Sequence, residues 1–507
     1  MTRPASAPDL ALGLVGCGAM GRGIAQVAAQ AGLAVRLVDS RPGAAEEART
    51  AVAETLAKLA AKGKVPAAEA SAASARLRVC GGVAELAGCD LVVEAVVEDL
   101  EAKRALFREL EAAVGPECVL ATNTSSLSVT AIAAGLARPE RVAGLHFFNP
   151  VPVMKVVEVV AGLLTDPAVA DGLAAVAQRM GHAPVRAKDT PGFIVNHAGR
   201  GLGTEGLRIL AEGVTGVPDL DRILRDTAGF KLGPCELLDL TGLDVSHPVM
   251  ESIYHQYYEE PRFRPQPLTR QMLAAGLLGR KAKRGFYDYA GGPPAVPPEP
   301  PAPAARPERV WVSPARPQLA GRVRDLVSAL GAHLDPGARP AADSLRLVTP
   351  LGEDATTLAA REGLDPARTV ALDALFDLSR RRVVMTTPAT SAAARDAAHG
   401  LLGADGVPVT VIRDSAGLVA QRVVATIVNI ACDIAQQRIA TPADIDRAVS
   451  LGLGYPHGPL AWGDRLGPAT VLAILEAMLS LSGDPRYRPS PWLRRRAQLG
   501  LSLLAED

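Results

Sequence analysis

Short apolar runs alternate with amphipathic segments along the first part of the chain. Runs that predict buried strands lie at residues 10–15, 34–38, 91–94, 118–121 and 142–145. The segments between them carry apolar residues at helical spacing, and the alternation continues to about residue 187. Strands that alternate with helices are typical of an α/β domain with a parallel sheet.

The first apolar run leads directly into a glycine-rich turn, Gly-Cys-Gly-Ala-Met-Gly. Gly16 allows the tight turn, Gly18 lets the backbone approach a pyrophosphate, and Gly21 lets the next helix pack closely on the strand. Ala19 and Met20 then lie in the first turn of that helix, whose N-terminus binds phosphate. The pattern predicts a dinucleotide-binding βαβ unit of the Rossmann type.

Asp39, at the end of the second strand, indicates which dinucleotide binds. A carboxylate at this position accepts hydrogen bonds from the adenosine ribose and repels a 2′-phosphate. Arg41 follows two residues later and favours a 2′-phosphate, but it has no second basic partner nearby. The sequence therefore predicts NAD, rather than NADP, as the cofactor.

From about residue 190 to residue 290 the pattern is helical throughout. Residues 205–212 and 218–228 are clear helical segments, and no strand alternation interrupts the region. Residues 291–303 are rich in proline and glycine, which predicts an extended, semi-rigid linker.

The helical region is repeated at an offset of 225 residues. DTPGFIVN at 189–196 aligns with DSAGLVAQ at 414–421, and further pairs follow the same offset: Asp221 with Asp446, Gly233 with Gly458 and Asp239 with Asp464. The chain therefore contains a duplicated helical domain. Residues 308–412, between the copies, have strand-like runs but no glycine-rich phosphate loop. We expect there a truncated α/β segment that binds no cofactor.

Together these patterns divide the 507 residues into five segments, in a chain long enough for several cores. They are an NAD-binding Rossmann domain at 1–188, a helical domain at 189–290, a proline-rich linker at 291–307, a truncated Rossmann-like segment at 308–412 and a second helical domain at 413–507.

The charge balance excludes several classes of partner. Lys and Arg number 54, as do Asp and Glu, so no long-range field favours nucleic acid or an anionic membrane. The six cysteines form no CxxC pair and no secretory leader precedes the first strand, which indicates a cytoplasmic protein with buried thiols. Residues 418–435 are apolar but contain charged and amide residues, so we expect a packed helix rather than a membrane span. No metal site is expected.

Three motifs carry a family resemblance: NTSSL at 123–127, GLHFFNPVPVMKVVEVV at 144–160 and KDTPGFIVN at 188–196. On these motifs, residues 9–290 closely resemble the 3-hydroxyacyl-CoA dehydrogenase family. The duplicated helical domain resembles the long bacterial form, the 3-hydroxybutyryl-CoA and 3-hydroxyadipyl-CoA dehydrogenases. The resemblance implies NAD-dependent interconversion of an (S)-3-hydroxyacyl-CoA and a 3-oxoacyl-CoA, in β-oxidation of fatty acids or in catabolism of aromatic acids such as phenylacetate.

The reaction removes a proton from a hydroxyl group and a hydride from C3. His146 is the natural base because the pKa of imidazole lies near neutrality, and the resemblance makes Glu158 the carboxylate that orients it. Ser125 and Asn196 are expected to donate hydrogen bonds to substrate oxygens. Because Asn196 comes from the helical part of the sequence, the expected site lies between the α/β and helical domains.

Further contacts follow from the resemblance, which assigns Glu98, Lys103 and Asn149 to the nicotinamide half of the cofactor. Lys281 is a further candidate for a cofactor contact. Lys58 and Lys64 are candidates for contacts with the CoA phosphates, although a solvated helix end explains them equally well. Simpler explanations exist for other residues too. Ser125 is able to cap the next helix, and Glu98 with Lys103 is able to form an ordinary charge pair at a helix start.

The sequence departs from the family after Asn196, where three glycines, at 199, 201 and 203, lie in a helical pattern. Each costs about 1 kcal/mol relative to alanine. Our hypothesis is that they permit close helix packing or leave space for an unusual acyl group. Alanine at positions 199 and 201 is then expected to change acyl preference.

The second helical copy carries Gln421 where the first carries Asn196, and no equivalent of the histidine–glutamate pair is visible before it. A second active site is therefore not expected. The copy is instead expected to supply pseudo-dimer contacts, so both a homodimer and a pseudo-dimeric monomer remain open. Two other functions also remain open: an NAD-dependent dehydrogenase of a free 3-hydroxy acid, and a non-catalytic NAD-binding structural protein.

Overall fold

The computed structural model describes residues 4–506, which form two compact units. The first unit contains the chain up to His197 together with Gln437–Leu453, and the second contains Ala198–Gln436 and Gly454–Ala505.

The first unit is built on a sheet of eight strands: β1 (Ala11–Val15), β2 (Ala34–Val38), β3 (Leu77–Val79), β4 (Leu91–Glu94), β5 (Val119–Thr122), β6 (Val142–Phe147), β7 (Val156–Ala161) and β8 (Ala183–Lys188). Their order is β3-β2-β1-β4-β5-β6-β7-β8, and only the β6–β7 pair is antiparallel. The strand order reverses between β1 and β4, where such sheets bind dinucleotides. The predicted Rossmann-type sheet is confirmed.

The second unit contains a sheet of six strands: β9 (Arg309–Val312), β10 (His333–Leu334), β11 (Leu345–Val348), β12 (Thr369–Leu372), β13 (Arg382–Thr386) and β14 (Val409–Ile412). Their order is β10-β9-β11-β12-β13-β14, and only β12 and β13 run antiparallel. This sheet confirms the predicted truncated α/β segment.

The α-helices, in chain order, are α1 (Ala19–Gln30), α2 (Ala44–Ala61), α3 (Ala67–Ala75), α4 (Leu100–Ala113), α5 (Val129–Ala133), α6 (Pro167–Arg179), α7 (Val195–Ala198), α8 (Arg200–Ala211), α9 (Val217–Ala228), α10 (Pro234–Thr241), α11 (Leu243–Gln256), α12 (Pro267–Ala274), α13 (Pro317–Ala329), α14 (Ala355–Glu362), α15 (Ala392–Leu402), α16 (Ala420–Gln436), α17 (Pro442–Gly452), α18 (Pro459–Leu466), α19 (Pro468–Ser482) and α20 (Pro491–Leu499). Short 3-10 helices occur at Val83–Leu86, Pro139–Arg141, Pro261–Phe263, Arg280–Ala282, Pro366–Arg368 and Pro485–Tyr487.

Side-chain caps and an apolar core fix the first unit around its sheet. The Asp99 carboxylate accepts a hydrogen bond from the third backbone amide of α4, and the Ser128 hydroxyl does the same for α5. The inward faces of the strands and helices bury one continuous apolar cluster, which includes Leu12, Leu14, Ile24, Leu37 and Leu173. Burial of this apolar surface is the main force that holds the helices on the sheet.

Residues 437–453 join the first unit although they follow the second sheet in the chain. The Lys188 amide donates to the Ile439 carbonyl at 2.9 Å, and the Arg186 amide donates to Asp444 at 3.1 Å. Gly452 packs closely on Val195. The sequence pattern gave no sign that this part of the second helical copy would pack on β7 and β8.

Within the second unit, the two helical copies meet through α8 and α16. A Cβ built on Gly201 would lie 2.9 Å from Ile427 Cγ1, so glycine is what lets these helices approach. Gly203, in contrast, has nothing within 4 Å of its Cβ position. The close-packing part of the glycine hypothesis thus has a structural basis at Gly201.

Buried ion pairs link the same two copies. Arg422 Nε and Arg486 Nη1 each donate to the buried Glu205 carboxylate at 2.8 Å, and the Tyr487 hydroxyl donates to it at 3.0 Å. These charged partners outweigh burial and lower the pKa of Glu205. Two arginines also donate reciprocally, Arg262 to the Arg488 carbonyl and Arg486 to the Pro261 carbonyl.

The proline-rich linker contains no helix or strand, but it is bonded to the second unit. Glu299 accepts a hydrogen bond from the buried Arg381 at 2.5 Å and pairs with Arg222 at 3.2 Å. Arg222 also donates to the Pro297 carbonyl. The segment is therefore held in place at its centre.

Among residues 4–506, no single helix is both long and apolar enough to cross a membrane. Helices α18 and α19, with a 93° bend between them, reach that length and apolarity only as a pair. The same residues contain no group of three or more metal-ligating side chains.

Candidate active site

His146 and Glu158 lie opposite each other on the antiparallel strands β6 and β7. This register brings His146 Nδ1 within 2.6 Å of Glu158 Oε2, and the two side chains are 5% and 0% exposed. The other carboxylate oxygen accepts hydrogen bonds from the amides of Ile194 at 2.9 Å and Val195 at 2.8 Å. Glu158 therefore holds the imidazole and the start of α7 together.

Asn196 follows these two amides directly and belongs to the first unit with His146. Its position is thus tied through the backbone to Glu158. Asp189 secures the same segment, because its carboxylate accepts hydrogen bonds from the Ser128 hydroxyl and from the amides of Val129 and Thr130 at 2.7–3.0 Å. Sequence reasoning missed Asp189, although an aspartate in an aligned repeat was a usable signal.

Ser125 lies in a turn that follows β5 and is held by Glu98. Glu98 Oε1 accepts hydrogen bonds from the Thr124 hydroxyl at 2.6 Å, the Ser125 amide at 2.9 Å and the Ser126 hydroxyl at 2.9 Å. Ser128, not Ser125, caps α5. The alternative interpretation of Ser125 as a helix cap is therefore wrong.

Glu98 and Lys103 belong to a three-residue charge cluster that also contains Glu94. Lys103 is 1% exposed, and its Nζ lies 3.3 Å from Glu98 and 2.5 Å from Glu94, a carboxylate that sequence reasoning missed. Burial raises the pKa of the Glu98 carboxyl, but Lys103 and the hydrogen bonds from the turn outweigh it, so the pKa lies below its ordinary value. Glu98 is therefore a carboxylate at neutral pH.

A cavity of about 700 Å³ lies at the strand-order reversal, lined by Gly16, Gly18, Asp39 and the chain after β4. A Cβ on Gly21 would lie 1.9 Å from the Gly16 carbonyl oxygen, while Gly18 has open space around its Cβ position. The turn is thus closed behind and open towards the cavity, as a pyrophosphate requires. NAD fits these residues.

Asp39 and Arg41 interact with each other at the edge of this cavity. The Asp39 carboxylate accepts the Cys17 amide at 2.8 Å and the Arg41 amide at 2.9 Å. The exposed Arg41 guanidinium lies 3.7 Å from the same carboxylate. Asp39 therefore lies at the edge of the cavity beside the glycine-rich turn, where a carboxylate favours NAD over NADP.

A second cavity, of about 350 Å³, lies between α1, α2 and the chain after β6, and both Ala19 and Asn149 line it. Met20 instead packs against the apolar core. On α2, Lys58 is 75% exposed and lies 3.9 Å from Glu54. Lys64 is also exposed. Neither lysine lines the cavity.

Lys281, the remaining candidate for a cofactor contact, belongs to the second unit. There its ammonium group pairs with Asp244, which lowers the pKa of that carboxyl through a hydrogen bond.

In the second sheet, the antiparallel strands β12 and β13 correspond to β6 and β7, but the side chains at the end of β12 differ. Asp373 directly follows β12, and its Oδ1 accepts a hydrogen bond from Gln421 Nε2 at 2.9 Å. The same amide donates to the Pro350 carbonyl at 3.0 Å and accepts from the Gly352 amide at 2.9 Å. Asp373 Oδ2 is buried without a hydrogen-bond partner among the described residues. Burial raises the pKa of Asp373 to about 6.

Comparison with protein families matches two domains on this chain. The family described as "3-hydroxyacyl-CoA dehydrogenase, NAD binding domain" matches residues 11–190. The family described as "3-hydroxyacyl-CoA dehydrogenase, C-terminal domain" matches twice, at residues 192–289 and 417–503.

Known proteins match over the same regions. The 3-hydroxyadipyl-CoA dehydrogenase of Escherichia coli is 39% identical over 96% of this chain and 97% of its own length. A probable 3-hydroxybutyryl-CoA dehydrogenase of Bacillus subtilis is 40% identical over 54% of this chain and 96% of its own. The crystal structure of an E. coli 3-hydroxybutyryl-CoA dehydrogenase has a TM-score of 0.86 at 36% identity and covers 97% of this chain and 98% of that one.

Proposed function

Because the chain belongs to the 3-hydroxyacyl-CoA dehydrogenase family, we propose that it oxidises an (S)-3-hydroxyacyl-CoA of the 3-hydroxybutyryl or 3-hydroxyadipyl type with NAD. The observation that carries the proposal is the buried contact of 2.6 Å between His146 and Glu158. A buried imidazole with an oriented carboxylate partner is the arrangement that a general base requires.

In this proposal His146 takes the proton of the substrate hydroxyl group. Its Nδ1 donates to Glu158, so Nε2 carries the free lone pair and serves as the base. The carboxylate fixes this tautomer and stabilises the imidazolium that forms. Because two backbone amides hold the far oxygen of Glu158, the pair is rigid before substrate binds.

Ser125 and Asn196 complete the proposed site. Their side chains are donors that suit the hydroxyl and thioester oxygens of the substrate, and hydrogen bonds there stabilise alkoxide-like charge. Both lie on segments anchored by carboxylates, Ser125 by Glu98 and Asn196 by the buried Glu158. Bound NAD supplies the hydride acceptor for C3.

We assign the cofactor and CoA contacts on the same basis. Gly16, Gly18, Ala19 and Gly21 would hold the pyrophosphate, and Asp39 the adenosine ribose. Glu98, Lys103 and Asn149 are assigned to the nicotinamide half of the cofactor by family resemblance, and Lys281 is a further candidate for a cofactor contact. The exposed Lys58 and Lys64 remain candidates for the CoA phosphates, since both ammonium groups face solvent.

The test compares three substrates by following NADH consumption: acetoacetyl-CoA, 3-oxoadipyl-CoA and free acetoacetate. We expect turnover of the thioesters alone, and the ratio of their kcat/KM values identifies the acyl type. Activity with free acetoacetate alone would support a dehydrogenase of free 3-hydroxy acids. NAD binding without turnover of any substrate would support the structural protein.

We also propose that the second helical copy takes the place of a partner subunit. The support is the contact between α8 and α16 and the reciprocal hydrogen bonds of Arg262 and Arg486. Sedimentation equilibrium is the test. A monomer is expected, whereas a concentration-independent dimer would show that a further surface mediates association.

A further inference from the structure

Glu94 ends strand β4 in a cluster of three charged side chains, of which Glu94 and Lys103 are buried and Glu98 is 37% exposed. Its Oε1 accepts hydrogen bonds from Lys103 Nζ at 2.5 Å and the Val96 amide at 2.7 Å, and its Oε2 accepts from the Thr122 hydroxyl at 2.7 Å. Glu94 and Lys103 are 0% and 1% exposed. With Glu98 as the third member, two carboxylates share one ammonium group, so the cluster carries a net charge of about −1 when all three are ionised.

The topology places this cluster beneath one half of the cofactor crevice. A dinucleotide crosses the sheet where the strand order reverses, between β1 and β4. Asp39, at the end of β2, marks the adenosine side. The nicotinamide half therefore lies towards β4, β5 and β6, where Glu94, the Glu98-bound turn and His146 are found.

The charge of the nicotinamide ring changes during the reaction. The ring is cationic in NAD⁺ and neutral in NADH, whereas the rest of the cofactor is the same in both. A cluster of net negative charge near the ring therefore stabilises bound NAD⁺ but has little effect on bound NADH. Because Glu94 and Lys103 are buried, water screens their charges weakly, and the loss of one of them has a larger effect than at the surface.

We propose that Glu94 is a positioning residue that shifts the relative affinity of the site towards NAD⁺ and away from NADH. It does so by two linked contacts. It gives the cluster its excess negative charge, and it fixes Lys103, which in turn lies against Glu98 and so holds the turn that carries Ser125. The inference rests on the proposed function for the roles of Glu98 and Ser125.

The test measures the dissociation constants of NAD⁺ and NADH by calorimetric titration, without acyl substrate. Glu94→Gln preserves size and the oxygen that accepts from Val96 or Thr122, but brings the cluster charge to zero. We expect the ratio Kd(NAD⁺)/Kd(NADH) to rise about tenfold. A ratio equal to that of the unmodified protein would overturn the proposal.

The matched control is Glu111→Gln. Glu111 lies in the last turn of α4, whereas Lys103 of the cluster lies in the first turn. Glu111 accepts hydrogen bonds from the amides of Ala137 and Arg138 and pairs with Arg141, so this change also removes one partly buried carboxylate. We expect an unchanged ratio. A rise as large as that of Glu94→Gln would mean that the ratio responds to any charge lost from the domain, which contradicts the proposal.

A double variant separates charge from position. Glu94→Gln with Lys103→Gln restores the net charge of about −1 through Glu98, so the ratio is expected to return towards its original value. If it stays at the value of Glu94→Gln, the charge account is overturned. If Glu94→Gln does not fold in a thermal scan, Lys103→Gln alone replaces it, with a net charge of about −2 and a shift of the opposite sign.

The outcome is independent of the acyl substrate. If the protein turns over none of the thioesters but the ratio still follows the cluster charge, the proposed function fails and the assignment of Glu94 stands. If the thioesters are turned over normally and the Kd ratio does not change, the proposed function stands and the assignment of Glu94 fails.

Discussion

The two sheets end in strand pairs of the same design but different chemistry. In the first sheet, β6 and β7 are antiparallel and β7 and β8 parallel; in the second, β12 and β13 are antiparallel and β13 and β14 parallel. Asp189 binds the N-terminal amides of α5, and Asp414 binds those of α14 in the same way. The contacts that fix the backbone are thus present twice.

The side chains that carry chemistry differ. His146 lies opposite Glu158, whereas Asp373 lies opposite Val383, to whose carbonyl its amide donates at 3.1 Å. Gln421 then closes the second strand end by binding Asp373. The aspartate contacts are present in both sheets because the fold depends on them. The side chains at the strand ends differ because only the first sheet has the histidine–glutamate pair that a reaction would need.

Removal of the proposed base should give the largest effect. His146→Ala is expected to lower kcat about 10³-fold, because general-base catalysis contributes roughly that much. The matched variant Asp373→Ala is expected to leave kcat unchanged. Steady-state kinetics with acetoacetyl-CoA and NADH provide the measurement. A large loss in Asp373→Ala would show that the second strand end takes part in the reaction.

Neutralising the partner of His146 should have the next largest effect. Glu158→Gln retains an oxygen that accepts from the Ile194 and Val195 amides, but loses the charge that stabilises an imidazolium. We expect kcat to fall about 100-fold with little change in the KM for NADH. A loss confined to KM would indicate instead that Glu158 only shapes the binding site.

The two helix anchors test the shared scaffold. Asp189→Ala and Asp414→Ala should each lower the free energy of unfolding by about 1–2 kcal/mol, because each leaves helix N-terminal amides without an acceptor. Only Asp189→Ala should also reduce kcat, since Asp189 anchors the segment before Asn196. Denaturant titration and steady-state kinetics distinguish the two. Equal kinetic losses would contradict the separation of scaffold from chemistry.

The last prediction concerns the pH dependence of the free energy of unfolding. Burial raises the pKa of Asp373 to about 6, above the value of an unfolded chain, so its contribution is fully present below the unfolded-state pKa and is lost as the pH rises through 6. Asp373→Asn should remove this dependence, which is about 1–3 kcal/mol. Thermal melting from pH 4 to pH 8 is the measurement. An unchanged pH profile would show that Asp373 is ionised at little cost.

Much of the fold was predictable because the spacing of apolar residues along the chain indicates which faces of strands and helices are buried. The runs at residues 34–38 and 91–94 coincide with β2 and β4, and the helix expected at 218–228 is α9, Val217–Ala228. Long motifs likewise indicated His146 and Glu158, which the register of β6 and β7 brings together. These features depend on residues close in sequence.

The remaining features depend on long-range contacts that leave little trace in a single sequence. Glu94 binds Thr122, 28 residues away, and Asp189 binds the Thr130 amide, 59 residues away, so no local pattern marks either contact. For Asp189, only the aligned aspartate of the repeat was a usable signal. The alignment of the two copies did not pair Asp373 with His146. These two residues are 227 positions apart, whereas the aligned Asn196 and Gln421 are 225 apart. A two-residue shift between strands was enough to break the alignment.

The buried Glu205 has a consequence for how the chain can evolve. In a dimer of identical subunits, one mutation in the gene appears on both sides of the interface. In this chain the helix that carries Glu205 packs against one that has Ile430 at the matching position and supplies Arg422 as a partner. Each face is encoded separately, so selection can tune one without altering the other, and ion pairs with no mirror-image copy become possible.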